Sequence, residues 1–170
     1  VTNATVSGNS GGGIYNYYGT MTVTNSTLSS NSSSGIYNDS GTLTVTNSTI
    51  ADNQSTGIRT SGGSSAATLH NTLVAGNSGW DIRRESGTLS GFHNLIGNGE
   101  GQTSLVNGVD GNMVGTADSP IDPKLSNWTQ FANSQWGYYL LPGSPAIDAG
   151  NNALAVDPTG QPLTEDICGN

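Results

Sequence analysis

The chain has 170 residues and a formal net charge of −8, with only 9% of its residues charged. Its four basic residues, Arg59, Arg83, Arg84 and Lys124, form no stripe. That excludes nucleic-acid binding by phosphate neutralisation and disfavours an anionic membrane surface, and no apolar run is long enough for a transmembrane helix. So polar a composition suits a disordered chain, but here the apolar residues recur at fixed positions.

Residues 1–22 and 23–44 are nearly the same sequence, and the pattern then drifts. Taking Val1, Val23, Val45, Leu69 and Gly91 as starts gives units of 22, 22, 24 and 22 residues. Val6, Leu28, Ile50, Val74 and Ile96 then align, as do Ile14, Ile36, Ile58 and Ile82. Met21, Leu43, Ala67 and Leu89 make a third apolar column, and Asn9, Asn31, Asn53 and Asn77 a polar one. A period of this length fits a leucine-rich repeat or a parallel β-helix. Each unit has too few leucines for the former, and Ser, Gly and Asn interrupt every candidate helix. The alternation in Thr42-Leu43-Thr44-Val45-Thr46 instead predicts a strand with Leu43 and Val45 inward.

The expected fold is therefore all-β: a right-handed parallel β-helix of about five 22–24-residue coils, three short strands to a coil. Like residues should stack from coil to coil, and a buried Asn amide can donate to one neighbour and accept from the other. Gly13, Gly35 and Gly57, each before an Ile, are expected to allow a turn conformation that other residues resist. Three regions follow: coils over 1–96, a Gly/Asn-rich loop region over 97–120 with short strands expected near Leu105-Val106 and Met113-Val114, and a capping segment over 121–170. The last is expected to wrap across the stack or close its end, because an unpaired strand edge is an aggregation hazard.

The repeat with "VTNSTIADN", the passage "NTLVAGNSGWDI" and the ending "LPGSPAIDAG" (141–150) resemble the pectate-lyase-like β-helix proteins of bacterial surfaces. Within them, the resemblance is to the group with a choice-of-anchor segment of the Q type. It implies a large secreted or cell-surface protein, commonly without assigned catalysis. It further implies that the chain is truncated at both ends, since the group's sequence continues past the point reached at Asn170 and Val1 opens within a regular coil. The lone Cys168 cannot form an internal disulfide, so a free thiol or an external partner is expected.

Chemistry-bearing residues are sparse. A polysaccharide lyase needs a basic group beside acidic ones, and the only charge cluster on the coils is Arg83-Arg84-Glu85. Adjacent strand residues point to opposite faces, so at most one of the two arginines would address a given ligand. Tyr15 and Tyr37 share a column, with Tyr17 and Tyr18 nearby, as either a sugar-stacking platform or a stabilising aromatic ladder. Tyr15, Tyr37, Arg83 and Arg84 are thus the candidate ligand-binding residues. Asp110, Asp118 and Asp122 are the candidate metal residues, with calcium the fitting ion; no other cofactor is indicated. His70 and His93 sit at different offsets in successive coils and lack an acidic companion. Threonines on one strand face suggest an ice-binding array that breaks at the third coil. Sequons at Asn3, Asn25, Asn31, Asn38, Asn47, Asn53 and Asn127 would matter only in a glycosylating host.

The sequence thus points to a non-catalytic extracellular structural or adhesive module. Its expected partners are copies of itself, stacked end to end in a filament or surface layer, or the remainder of a longer chain. The alternative is a carbohydrate-binding or lyase-like β-helix fragment acting on polysaccharide.

Overall fold

A computed structural model describes residues 1–165; Cys168 lies outside the described residues. The strands follow in threes. The first coil holds β1 (Thr5–Ser7), β2 (Ile14–Tyr17) and β3 (Thr20–Thr24), and the second β4 (Thr27–Ser29), β5 (Ile36–Asp39) and β6 (Thr42–Thr46). The third holds β7 (Thr49–Ala51), β8 (Ile58–Ser61) and β9 (Ala66–His70), and the fourth β10 (Leu73–Ala75), β11 (Ile82–Arg84) and β12 (Thr88–Phe92). β13 (Leu95–Ile96) and β14 (Met113–Val114) continue one side alone. Strands pair in parallel with their equivalents one coil away, giving sheets in the orders β1-β4-β7-β10-β13-β14, β2-β5-β8-β11 and β3-β6-β9-β12. This is a parallel β-helix, and its register confirms the apolar columns: Val6 pairs with Leu28, Ile14 with Ile36, and Met21 with Leu43.

These columns fill the interior. Leu28, Ile36, Leu43, Ile50, Ile58 and Ile82 are fully buried in one continuous core. From Asn31 onward the Asn column is buried as well, and from Asn9 it forms a one-way chain of amides. Asn9 Nδ2 donates to Asn31 Oδ1 (2.8 Å), Asn31 Nδ2 to Asn53 Oδ1 (2.9 Å) and Asn53 Nδ2 to Asn77 Oδ1 (2.9 Å). Asn77 Nδ2 then donates to Asp81 Oδ1 (2.9 Å), and Asp81 Oδ2 accepts the Asn98 N–H (2.6 Å). Asp81 is buried, and desolvation pushes its carboxyl above the usual range against the pull of these donors. A second polar column turns the corner before β1, β4, β7, β10 and β13. There Asn3, Asn25, Asn47, Asn71 and His93 all have φ between 48° and 55°, the left-handed region in which Asn is the most tolerated side chain.

Two sequence expectations need correction. Gly35 and its equivalents are not at positive φ; the constraint is room, since a Cβ at Gly35 would lie 2.8 Å from Asn53 Nδ2 and from Ile50. The stack also runs past residue 96: Met113–Val114 pairs in parallel with Leu95–Ile96, whereas Leu105-Val106 forms no strand. Leu105 is instead buried in the core, within a loop that folds over the last coil. Arg84 N–H donates to Gly101 O and His93 N–H to Asp110 O. At the opposite end Val6, Ile14 and Met21 are only partly buried.

The segment after residue 116 lies along the side of the stack. The outward residues of the six-stranded sheet (Leu73, Ala75, Leu95 and Met113) pack with Ile121, Leu125 and Ala146 in a second apolar cluster. From there the chain reaches the first coil, where the antiparallel pair β15 (Thr129–Gln130) and β16 (Trp136–Gly137) sits and Thr5 Oγ1 donates to Trp136 O (2.6 Å). Tyr138 hydroxyl then bonds Ser29 Oγ (2.5 Å) and donates to Asp52 Oδ2 (2.6 Å). Burial, then Asp52, drives its proton affinity far up. Farther on, Asn151 N–H donates to Asn71 Oδ1 (2.9 Å) while Asn71 Nδ2 donates to Asn151 O (2.9 Å), a two-bond clamp.

Candidate functional site

In each coil the residue after the inward Ile points outward, so parallel register makes an outer column of those residues. Tyr15 pairs with Tyr37, Tyr37 with Arg59 and Arg59 with Arg83. Three of the four candidate binding residues therefore share one line. Arg59 belongs to it too, by the same place after Ile58, and sequence reading missed it.

The fourth candidate does not join them. Arg84 lies one residue on, in line with Thr60 and Asn38, and its Nη1 donates to Gly87 O (3.2 Å). Asn16 and Asn38 make the same bond, to Gly19 O and Gly41 O. Arg84 thus closes a corner as those asparagines do, and its Nε is buried without a partner among the described residues.

The column's geometry decides what it can do. The Tyr15 and Tyr37 rings are stacked, 5.0 Å apart at 23°, and the Arg59 guanidinium lies over the Tyr37 ring at 4.7 Å. Arg59 then pairs with Glu85 (3.0 Å), Glu85 with Arg83 (3.0 Å), and Arg83 covers Trp80 at 4.4 Å. The hydrogen bond to Glu85 raises the proton affinity of Arg59 further. Ring faces therefore look along the stack axis, each covered by the next group, and ring edges look to solvent. A sugar-stacking platform needs ring faces turned outward; this geometry is a ladder. Each aromatic or cation–π contact contributes on the order of 0.5–1.5 kcal/mol. The most exposed rings among the described residues are at the first coil, where Tyr15, Tyr17 and Tyr18 are 59–69% accessible.

The acidic candidates are dispersed. Asp110 is an exposed turn residue, Asp118 is exposed, and Asp122 Oδ1 accepts the Lys124 N–H (2.8 Å). No group of three His, Cys, Asp or Glu side chains placed to hold a metal occurs among the described residues. His70 pairs in register with Phe92, whereas His93 occupies the corner column after it; burial lowers the proton affinity of His70. The threonine face keeps its middle column for three coils, Thr22, Thr44 and Thr68, before Ser90. No helix among the described residues is long and apolar enough to cross a membrane.

Residues 1–116 match the family model described as "Right handed beta helix region". No curated protein and no solved structure matches the chain.

Proposed function

Because the chain belongs to the right-handed β-helix family, we propose that it is a non-catalytic structural or adhesive module displayed outside the cell. The carrying observation is that the outer column spends its groups on itself. Tyr37 has one face on Tyr15 and the other on Arg59, and both Arg59 and Arg83 are held by the single carboxylate of Glu85. A lyase base must instead face an open subsite with its nitrogen poised over the substrate. The resemblance of residues 141–150 to surface-protein endings supports the extracellular setting.

Self-association through the first coil is part of this proposal. Its half-buried Val6, Ile14 and Met21 offer an apolar edge on which a second copy or the remainder of a longer chain would stack, whereas Leu105 and its loop lie over the last coil. Incubating the purified chain with acidic polysaccharides should give no unsaturated product. Cleavage that disappears in Arg83→Ala would overturn the reading in favour of a lyase.

A further inference from the structure

Four of the chain's six tyrosines meet in one patch, on and beside β2 and β5. Tyr15 stacks on Tyr37 with 5.0 Å between ring centroids, Tyr17 lies 5.9 Å from Tyr15, and Tyr18 meets Tyr17 edge-on at 4.5 Å. Tyr15, Tyr17 and Tyr18 are exposed, and Tyr37 is half-buried.

Within this patch one pair is matched ring to ring. Tyr15 and Tyr37 hold the same place in parallel register, and their hydroxyls point the same way. Tyr15 hydroxyl donates to Asp39 Oδ2 (3.3 Å), and Tyr37 hydroxyl bonds Ser61 Oγ (2.8 Å). Asp39 and Ser61 are themselves register partners. The ring carbons beside each hydroxyl therefore lie next to their counterparts. On its far face Tyr37 is covered by Arg59 at 4.7 Å, and Arg59 is fixed in turn by Glu85. That ring is thus confined against Tyr15. Tyr17 is less well placed, because its ring is tilted to Tyr15 and turned edge-on to Tyr18.

The hydrogen bonds suit loss of an electron. A phenol becomes a neutral radical only when its proton leaves with the electron, and a carboxylate is the side chain best able to accept that proton. Asp39 already holds the Tyr15 proton in a hydrogen bond. The exposed edge of Tyr15 gives an oxidant access.

We propose that Tyr15 and Tyr37 form an oxidative cross-linking site, joined ring to ring by a haem peroxidase acting with hydrogen peroxide. Each phenol gives up one electron and one proton, and the peroxide takes both pairs and leaves as water. The radicals share their spin with the carbons beside the oxygens. A carbon–carbon bond forms between two such carbons, and the hydrogen on each moves to its oxygen, restoring both hydroxyls. A single cysteine cannot make an internal disulfide, so this bond would supply the covalent tie between coils that a disulfide cannot. The inference goes beyond the structural reading above and does not depend on what the module adheres to.

The test treats the full chain, kept dilute, with a haem peroxidase and hydrogen peroxide. Intact mass, dityrosine fluorescence and peptide mapping are then read. The expected product is a monomer lighter by a pair of hydrogen atoms, fluorescent, and yielding a peptide that links residues 15 and 37. Tyr15→Phe and Tyr37→Phe should each abolish that peptide, with an unchanged far-ultraviolet circular dichroism spectrum showing that the stack is intact. Tyr139→Phe should leave it in place. In urea, where the stacking is lost, the link should fall to the level of any other tyrosine pair. Absence of dityrosine, a product mapped mainly to another pair or between chains, or an equal yield of the link in urea would overturn the proposal. None of these results touches the scaffold reading, because only Arg83-dependent cleavage counts against that.

Discussion

The coil stack and the C-terminal segment are held by opposite strategies. In the stack, partners lie one coil apart, and the same bond is made repeatedly at 22–24 residues' separation: Asn9 to Asn31, Asn31 to Asn53, Asn53 to Asn77. The segment is attached by bonds made once each, across far longer separations: Thr5 to Trp136, Tyr138 to Asp52, Asn71 to Asn151. A repeated contact is supported by copies above and below, so its loss is felt along the column. A single attachment can fail alone. The stack should therefore respond to mutation as a cooperative unit, and the segment bond by bond.

The largest effect should come from the core. Ile36→Ala removes a fully buried side chain between Ile14 and Ile58 and should cost about 2–5 kcal/mol, measured by urea unfolding. If the loss stays within one coil, with hydrogen-exchange protection elsewhere unchanged, the stack is not cooperative and the contrast breaks. Next comes the polar column. Asn53→Ala strips the Asn31 N–H and amide of their shared acceptor and takes the side-chain donor from Asn77 Oδ1, leaving it only the backbone N–H of residue 53. About 3 kcal/mol should be lost, with faster exchange in the second and fourth coils alike.

Tyr138→Phe should behave differently. It deletes the bonds to Ser29 and Asp52 and should cost about 1 kcal/mol. Limited proteolysis should then cut between residues 121 and 150 while residues 1–116 stay protected. Equal cleavage in both regions would show that they form one cooperative unit.

The smallest effect is one of pH. Burial raises the Asp81 carboxyl above its ordinary value of 3.8, so the folded chain binds this proton more tightly than the unfolded chain. Stability from this group is full below the ordinary value and declines as pH rises through the raised one. Urea midpoints in wild type should carry that downward slope just above the usual Asp range, and Asp81→Asn should remove it. A slope of the opposite sign would mean that the N–H donors on Asp81 outweigh its desolvation.

The same contrast explains what could be read from sequence. The inward columns were legible because a helical coil converts periodicity directly into neighbourhood: Ile14, Ile36, Ile58 and Ile82 must stack if they recur. The 24-residue coil was legible as a length but not as a shape; its extra residues form a turn at Gly62, where Ser65 N–H donates to Gly62 O. Of the outer column, Tyr15 and Tyr37 were found by likeness and Arg83 by charge. Arg59 was overlooked because its type breaks the pattern, although its place after Ile58 carries the information. The direction of the ring faces was beyond sequence, since it depends on where Arg59 and Glu85 settle. The segment's path was also beyond sequence, because contacts made once leave no period. Asp81 shows a further limit: it replaces a ladder asparagine from four residues downstream of Asn77, so no column marks it.

The asparagine ladder also gives the molecule a direction. Every amide from Asn9 to Asn77 hands its proton donor the same way, and the series ends on a group that only accepts. Aligned side-chain dipoles reinforce one another as peptide dipoles do in an α-helix, so the stack carries an internal electrical polarity with Asp81 as its sink. A coil inserted between Asn9 and Asn77 fits if it brings one asparagine and preserves that sense. Beyond Asp81 the six-stranded sheet goes on through β13 and β14 without the amide series, so Asp81 marks where the one-way chain of amides ends while the stack itself continues.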